Sequence, residues 1–252
     1  AGKGAQILRD AGIEVETGVC EAECREINEV FFHYITHKTP FVVLKYAMTL
    51  DGKIAAHTGD SRWVTGEAAR RHVHETRNRL SGIMVGVGTV LADDPLLTCR
   101  IDGGRNPVRI VCDSHARTPL GSQLVQTANE IPTYVAVTAR SERTAALEEK
   151  GVRILVCGET DGHVDLTDLM QQLGGAGING ILLEGGSSLA FSALKAGIVR
   201  RVQAYIAPKL IGGADAKSPV GGEGLAKMAD ALALKNVRST PLGEDFLIEG
   251  RL

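Results

Sequence analysis

No stretch of this sequence approaches the roughly 20 consecutive apolar residues that a membrane-spanning helix needs, so no membrane partner is expected. The first residues, AGKGAQILRDAGIEVE, also lack the long apolar core of a secretion signal. Cysteine is sparse, with five residues at 20, 24, 99, 112 and 157, odd in number and scattered. That distribution argues against a disulfide framework and fits the reduced thiols of a cytoplasmic protein. Cys20 and Cys24 are spaced CxxxC with no second ligand pair nearby. His72 and His74, two apart on a helical stretch, face different directions. No metal is therefore expected. Nor is one sign of charge in excess: the formal net charge is −2, which speaks against nucleic acid or a membrane surface as partner.

Familiar catalytic signatures are missing too. The sequence has neither GxSxG nor GxxxxGK[ST], and no serine or cysteine stands in a nucleophile setting. Gly86 and Gly88 begin a GxG after an apolar run, but Leu91 stands where the dinucleotide fingerprint needs its third glycine. A Rossmann site is rejected on that ground. What is left is binding-driven chemistry, in which a cofactor supplies the reacting atom and the protein supplies orientation.

The chain has 252 residues, 44% apolar and 23% charged, enough for one large domain or one domain and a piece of another. Residues 2–12 read as a short helix, 13–19 (IEVETGV) as a strand and 21–35 as a helix, followed by a break at Pro40. Two helices around one short strand cannot bury a core, so a domain boundary is placed near residue 39. Beyond it, apolar runs at 41–48, 82–87, 107–113, 132–138, 152–158 and 180–184 read as strands. Helical patterns lie at 66–80, with Thr65 as N-cap, and at 165–173 and 187–196. Two further strands are expected at 201–208 and 245–252. Continuously apolar strands separated by helices indicate a mostly parallel sheet covered on both faces, an α/β three-layer domain.

Several stretches could carry chemistry. In ILLEGGSSL (181–189) a strand ends in Glu184 and two glycines and opens onto a helix. Bare backbone at Gly185 and Gly186, followed by free amides from Gly186 through Leu189, suits a phosphate, and a plain tight turn is the alternative. VGVGTVLADDP (85–95) exposes Thr89, Asp93 and Asp94 after a strand, or is only a capped short helix. Arginines gather at 62, 70, 71, 77, 79, 100 and 105, most of them expected on the surface. Arg100 follows the apolar pair Leu96-Leu97, itself directly after ADDP, and is the one expected to turn back to the cleft, where a guanidinium fork suits a phosphate monoester. Lys45 lies inside an apolar strand and must either reach solvent at an edge or face a cleft with a counter-charge such as Glu184. Trp63, the only tryptophan, serves either as packing or as a stacking surface for a cofactor.

Taken together, KYAMTLDGKIA, SRWVTG, VGVGTVLADDPLLTCR, VRIVCDS, ILLEGGSSL and AYIAPKLIGG resemble the reductase half of the bifunctional bacterial riboflavin-biosynthesis deaminase/reductase across residues 40–252. Residues 1–39 resemble the carboxyl-terminal remnant of its cytidine-deaminase-like half, without the HxE and PCxxC zinc stretches. The resemblance implies a fragment that does not deaminate, with a dihydrofolate-reductase-like fold and NADPH as cofactor. The implied reaction converts the ribosyl group of 5-amino-6-(5-phosphoribosylamino)uracil to a ribityl chain. A related reductase acting on the diaminopyrimidine before deamination is the alternative. Implied cofactor contacts are Ala47, Trp63, Thr89, Asp93, Ser114 and the run Gly186, Ser187, Ser188, Leu189, Ala190, Phe191 and Ser192. The 2′-phosphate is expected near Ser114 and Arg117. Implied substrate contacts are Ser61, Arg77, Leu97, Arg100 and Glu184, with Lys45 and Glu184 as the catalytic pair. The family is usually oligomeric, so a dimer or tetramer is expected.

Overall fold

The computed structural model describes residues 2–252. Three helices come first, α1 (Lys3–Asp10), α2 (Glu21–Ile27) and α3 (Glu29–His37), and none of them buries a residue fully. The strand expected at 13–19 does not form. Those residues are exposed but for Val15 and have no strand beside them, and an unpaired strand leaves its backbone groups to water. The helix expected at 21–35 breaks at Asn28, whose side-chain Nδ2 donates to the Cys24 carbonyl at 2.9 Å. Such a bond competes with the helical ladder.

Strand β1 (Phe41–Thr49) starts after Pro40, with its first four residues buried. Helix α4 (Glu67–Arg79) follows, capped at Gly66 rather than Thr65, because the distant Asp245 accepts the Gly66 N–H at 2.7 Å. The chain then alternates: β2 (Gly82–Gly86), α5 (Val87–Asp93), β3 (Val108–Cys112), α6 (Gln123–Gln126), β4 (Thr133–Val137), α7 (Glu142–Glu149) and β5 (Arg153–Val156). A small hairpin, β6 (Glu159–Thr160) and β7 (His163–Val164), leads to α8 (Leu166–Gly175), β8 (Gly180–Glu184), α9 (Ser187–Lys195) and β9 (Val199–Ala207). A long irregular segment precedes β10 (Lys235–Leu242) and β11 (Asp245–Arg251).

Nine strands form one sheet in the order β10-β11-β9-β1-β8-β2-β3-β4-β5. All pairs from β9 to β5 are parallel, and β11 and β10 extend one edge antiparallel. The sheet has helices on both faces, as read from the apolar runs. Val42, Leu44, Met84, Ile110 and Leu183 pack under α8 and α9. The alternating neighbours Ile83, Val85 and Val111 pack against α5 and α6 on the other face, and Val43 and Leu182 pack against α4. From β1 the chain moves outward to β5, returns through β8 into the gap between β1 and β2, then continues to β9 on the far side of β1. In open α/β sheets ligands sit outside the carboxyl ends of strands where the winding reverses, here at β1 and β8.

Helices α2 and α3 dock on the sheet edge through ions. Arg201 meets Glu29 at 2.9 Å and Glu249 at 3.0 Å, and Arg238 meets Glu26 at 2.8 Å. Among the described residues no helix is long and apolar enough to cross a membrane.

Candidate active site

Lys45 and Glu184 are register partners on the adjacent parallel strands β1 and β8, so their side chains leave the same face of the sheet. Lys45 Nζ lies 3.5 Å from Glu184 Oε2. Arg77, from α4 on that face, donates from Nε to Glu184 Oε1 at 2.7 Å and from Nη2 to Oε2 at 3.0 Å, while Nη1 donates to the Thr98 carbonyl at 2.8 Å. Burial alone would raise the Glu184 pKa, yet the Arg77 and Lys45 charges outweigh it and hold the carboxyl at about 2. Beside the Lys45 ammonium, 5.7 Å away, is the ring centre of Tyr205, a buried residue of β9 whose hydroxyl is 2.8 Å from His72 Nδ1.

Arg77 and Arg100 thus have different surroundings. All three guanidinium nitrogens of Arg77 are engaged, so its first partner is Glu184 rather than open space for a phosphate. Arg100 is exposed, and among the described residues its one hydrogen-bonding neighbour is His74. Burial and the charges of Arg77 and Arg100 push the His74 pKa down to about 4, so the ring is neutral near pH 7. A neutral imidazole has one acceptor nitrogen. The Arg100 backbone N–H at 3.2 Å from Nδ1 and the Arg100 Nε at 3.3 Å from Nε2 therefore cannot both be hydrogen bonds. Leu97, three residues earlier, is buried at φ +53 and anchors this loop in the core. Of the other arginines, Arg70 stacks over Trp63 at 4.7 Å, Arg71 pairs with Glu75, and Arg105 bonds to Asn78, all away from Glu184.

Beyond Glu184 the chain turns through Gly185 (φ +80) and Gly186 (φ +82), both in the left-handed region that favours glycine. A Cβ on Gly185 would come within 3.0 Å of Thr89 Oγ1, which brings the turns after β2 and β8 together. Helix α9 then begins with no side-chain cap, leaving its first-turn amides without a side-chain acceptor. The expected run divides here. Gly186 to Leu189 make the start of α9, with Leu189 packed against the core, and the Ala190 N–H is bonded to the Gly186 carbonyl at 2.9 Å with its methyl in the core. The Phe191 ring backs onto Gly222, and Ser192 is exposed one turn on.

The remaining expected contacts are spread along the strand ends. Ala47 lies two residues beyond Lys45 on the same face, in register with Tyr205. Trp63 is 60% exposed, on the β1–α4 loop with half-buried Ser61, and its carbonyl accepts from Lys209 Nζ at 3.1 Å. Asp93 is exposed at the end of α5. Ser114 follows β3 and accepts the Val164 N–H on Oγ at 3.0 Å. Among the described residues no group of three or more His, Cys, Asp or Glu could hold a metal ion. Sequence reading missed His74 as a partner of Arg100, Tyr205 under Lys45, and the fully buried Asp113. Only Asp113 had a signal, a carboxylate directly after an apolar strand.

Comparison with known proteins fits this layout. The RibD C-terminal domain profile matches residues 40–248. The chain belongs to the RibD C-terminal domain family. It is 52% identical over 250 residues to the riboflavin biosynthesis protein RibD of Actinobacillus pleuropneumoniae, covering 99% of this chain and 66% of that one. The 2,5-diamino-6-ribosylamino-4(3H)-pyrimidinone 5′-phosphate reductase of Methanothermobacter thermautotrophicus is 47% identical over 215 residues, 83% of this chain and 97% of its own. The crystal structure of Acinetobacter baumannii RibD superposes with a TM-score of 0.85 at 31% identity, covering 100% of this chain and 69% of that one. The RibD relatives thus extend well beyond what this chain spans.

Proposed function

We propose that this chain is the NADPH-dependent reductase of riboflavin biosynthesis, acting on a 5′-phosphorylated ribosylaminopyrimidine. The observation that carries this reading is the Lys45–Glu184–Arg77 cluster at the switch point of the sheet, one residue from an uncapped glycine turn. The 47% match that spans 97% of the M. thermautotrophicus reductase supports it. The glycine turn and the uncapped start of α9 suit a pyrophosphate. When bound, NADPH supplies the hydride.

The chain's own groups would orient and protonate the sugar. A closed sugar ring offers no C=N acceptor, so reduction must run on the ring-opened imine or its equivalent. Lys45, fixed by Glu184, donates a hydrogen bond or proton at the sugar, a contribution worth roughly 10²–10⁴ in rate. Glu184, ionised throughout the physiological range, accepts from sugar hydroxyls and holds the Lys45 ammonium in position. Arg77 holds that carboxylate in place, and Arg100, with Ser61 and Leu97 along the same wall, receives the substrate phosphate. Ala47, Trp63, Thr89, Asp93 and Ser114 line the cofactor side.

The test is turnover of 5-amino-6-(5-phosphoribosylamino)uracil with NADPH and with NADH. Absence of turnover with either cofactor overturns the reading, and equal turnover with both overturns the choice of NADPH. The M. thermautotrophicus match favours one second reading, the diaminopyrimidine before deamination as substrate. Assaying both pyrimidines side by side separates the two. The cytoplasm as location and assembly into a dimer or tetramer belong to the same proposal. Gel filtration with light scattering checks the assembly.

A further inference from the structure

Lys45 is held less tightly than its neighbours. Glu184 Oε2 stands 3.5 Å from Nζ, long for a charge-assisted bond, and the same oxygen already accepts Arg77 Nη2 at 3.0 Å. The ammonium has three donors to place, and the carboxylate alone leaves its direction open. A second group lies on its other side. Tyr205 stands on β9, across β1 from β8, and the Lys45 ammonium sits over its ring, 5.7 Å from the centre.

Tyr205 is fully buried in the cluster that holds Val43, Val73, Leu182 and Leu247. Its register partner is Ala47, so its side chain leaves the sheet on the same face as Lys45. A buried phenol needs a polar partner, and His72 Nδ1 on α4 lies 2.8 Å from the hydroxyl. Burial, and after it the Glu184 charge, raises the Tyr205 pKa, so the phenol stays neutral. One helix therefore fixes both neighbours of the lysine: Arg77 clamps Glu184, and His72, earlier on α4, pins Tyr205. A ring face attracts a cation and offers no lone pair in competition with a substrate for the ammonium N–H groups.

We propose that Tyr205 is a positioning residue for the reduction, its ring, pinned by His72, holding the Lys45 ammonium toward the sugar. The inference rests on the reductase reading given above. Tyr205→Leu removes the ring and should lower kcat roughly 5- to 30-fold, with the KM for the pyrimidine and the affinity for NADPH within a few fold. Tyr205→Phe keeps the ring and should recover most of that loss. In a Lys45→Met background Tyr205→Leu should lower turnover no further, because the ring acts through the ammonium. A second readout does not depend on a chain folding without the ring. In the wild type and in Tyr205→Phe, the ε-methylene resonance of Lys45, assigned by its loss in Lys45→Met, should be displaced upfield by the ring current. Four results overturn the assignment while the reductase reading stands: near-native kcat in Tyr205→Leu, Tyr205→Phe as slow as Tyr205→Leu, an equal further loss in the Lys45→Met background, or an undisplaced resonance. A wild type that turns over neither pyrimidine overturns the reductase reading and this inference with it.

Discussion

Arg77 faces Glu184 with two parallel hydrogen bonds, 2.7 Å from Nε and 3.0 Å from Nη2, across a join between helix α4 and strand β8. The carboxylate also carries Lys45 at 3.5 Å, so one anion compensates two cations at side-chain exposures of 11–17%. Glu184→Gln should lower turnover by about 10²–10⁴ and leave NADPH binding within a few fold. It should also cost stability, since removing one member of a buried ion pair leaves an uncompensated charge, typically about 3–5 kcal/mol. Lys45→Met removes a cation instead and should lower turnover comparably with a smaller loss in melting temperature. Near-native turnover in both variants would sink the assignment.

The same cluster sets a pH dependence with a definite sign. Glu184 is depressed from 4.5 to about 2, so its stabilising contribution is complete above pH 4.5 and is lost only as pH falls toward 2. His74 and His33 are both depressed from 6.5 to about 4, burial being the largest cause in each. Between those values the unfolded chain takes up protons that the folded chain refuses, so stability falls as pH drops from 6.5 to 4. Each histidine adds at most about 1.4 kcal/mol per pH unit to that slope. His74→Asn should therefore flatten the acid limb of a stability–pH curve measured by urea unfolding. An unchanged slope would mean that the ring is not buried beside Arg77 and Arg100.

The layered sheet was legible because its parallel strands are apolar on both faces and its turns are marked by glycine, proline and aspartate. Strand β10 was not, because KNVRSTPL is an exposed edge with polar residues on both sides and leaves no alternation to read. The ILLEGGSSL turn disclosed Glu184 and the start of α9, and Lys45 stood out as a charge in an apolar run. Its tie to Glu184 depends on pairing of β1 with a strand 139 residues later, which local pattern does not encode. By residue pattern Arg77 was one of several surface arginines, set apart only by the resemblance as a substrate contact; the packing of α4 turns it onto Glu184.

Arg109 was hidden in the same way, as an ordinary charge in PVRIVCD. It is fully buried, and its five N–H groups reach six acceptors, with Nη2 shared among three: Thr133 Oγ1, Thr127 Oγ1 and the carbonyls of Leu96, Leu124, Thr127 and Ile131. It has no carboxylate partner among these. Arg109→Met should destabilise by roughly 3 kcal/mol or more, since several buried carbonyls lose their donor at about 1–3 kcal/mol each. Unfolding by urea measures this, and a loss under 1 kcal/mol would show that water replaces the guanidinium.

Arg100→Ala should separate phosphate binding from architecture. The side chain is exposed and held only by His74, so the melting temperature should change little. Affinity for the phosphorylated substrate should fall roughly 10- to 150-fold, and affinity for the dephosphorylated nucleoside should stay level. Arg77→Ala should instead reduce stability and turnover together, because its first partner is Glu184. Equal losses on both substrates with Arg100→Ala would show that this arginine shapes the loop instead of binding the phosphate.

Gly185 offers the sharpest test of the cofactor turn. Its φ of +80 is a conformation that costs an L-residue about 1–2 kcal/mol, and its missing Cβ leaves the space 3.0 Å from Thr89 Oγ1. Gly185→Ala adds both the strain and the contact, and it should displace the turn from which the α9 amides reach the cleft. Affinity for NADPH, measured by fluorescence titration, should drop about tenfold or more, with a loss of stability near the strain cost. Thr89→Ala in the same chain removes the contact but not the strain, so the double variant should regain little of the stability, and its affinity is compared with that of Thr89→Ala alone because Thr89 is itself on the cofactor side. Gly175→Ala, at the end of α8 with nothing within 4 Å of its Cβ, should leave cofactor binding untouched and stabilise by up to about 1 kcal/mol. If Gly185→Ala binds NADPH as tightly as the wild type, the glycine pair is a plain turn and the cofactor phosphates lie elsewhere.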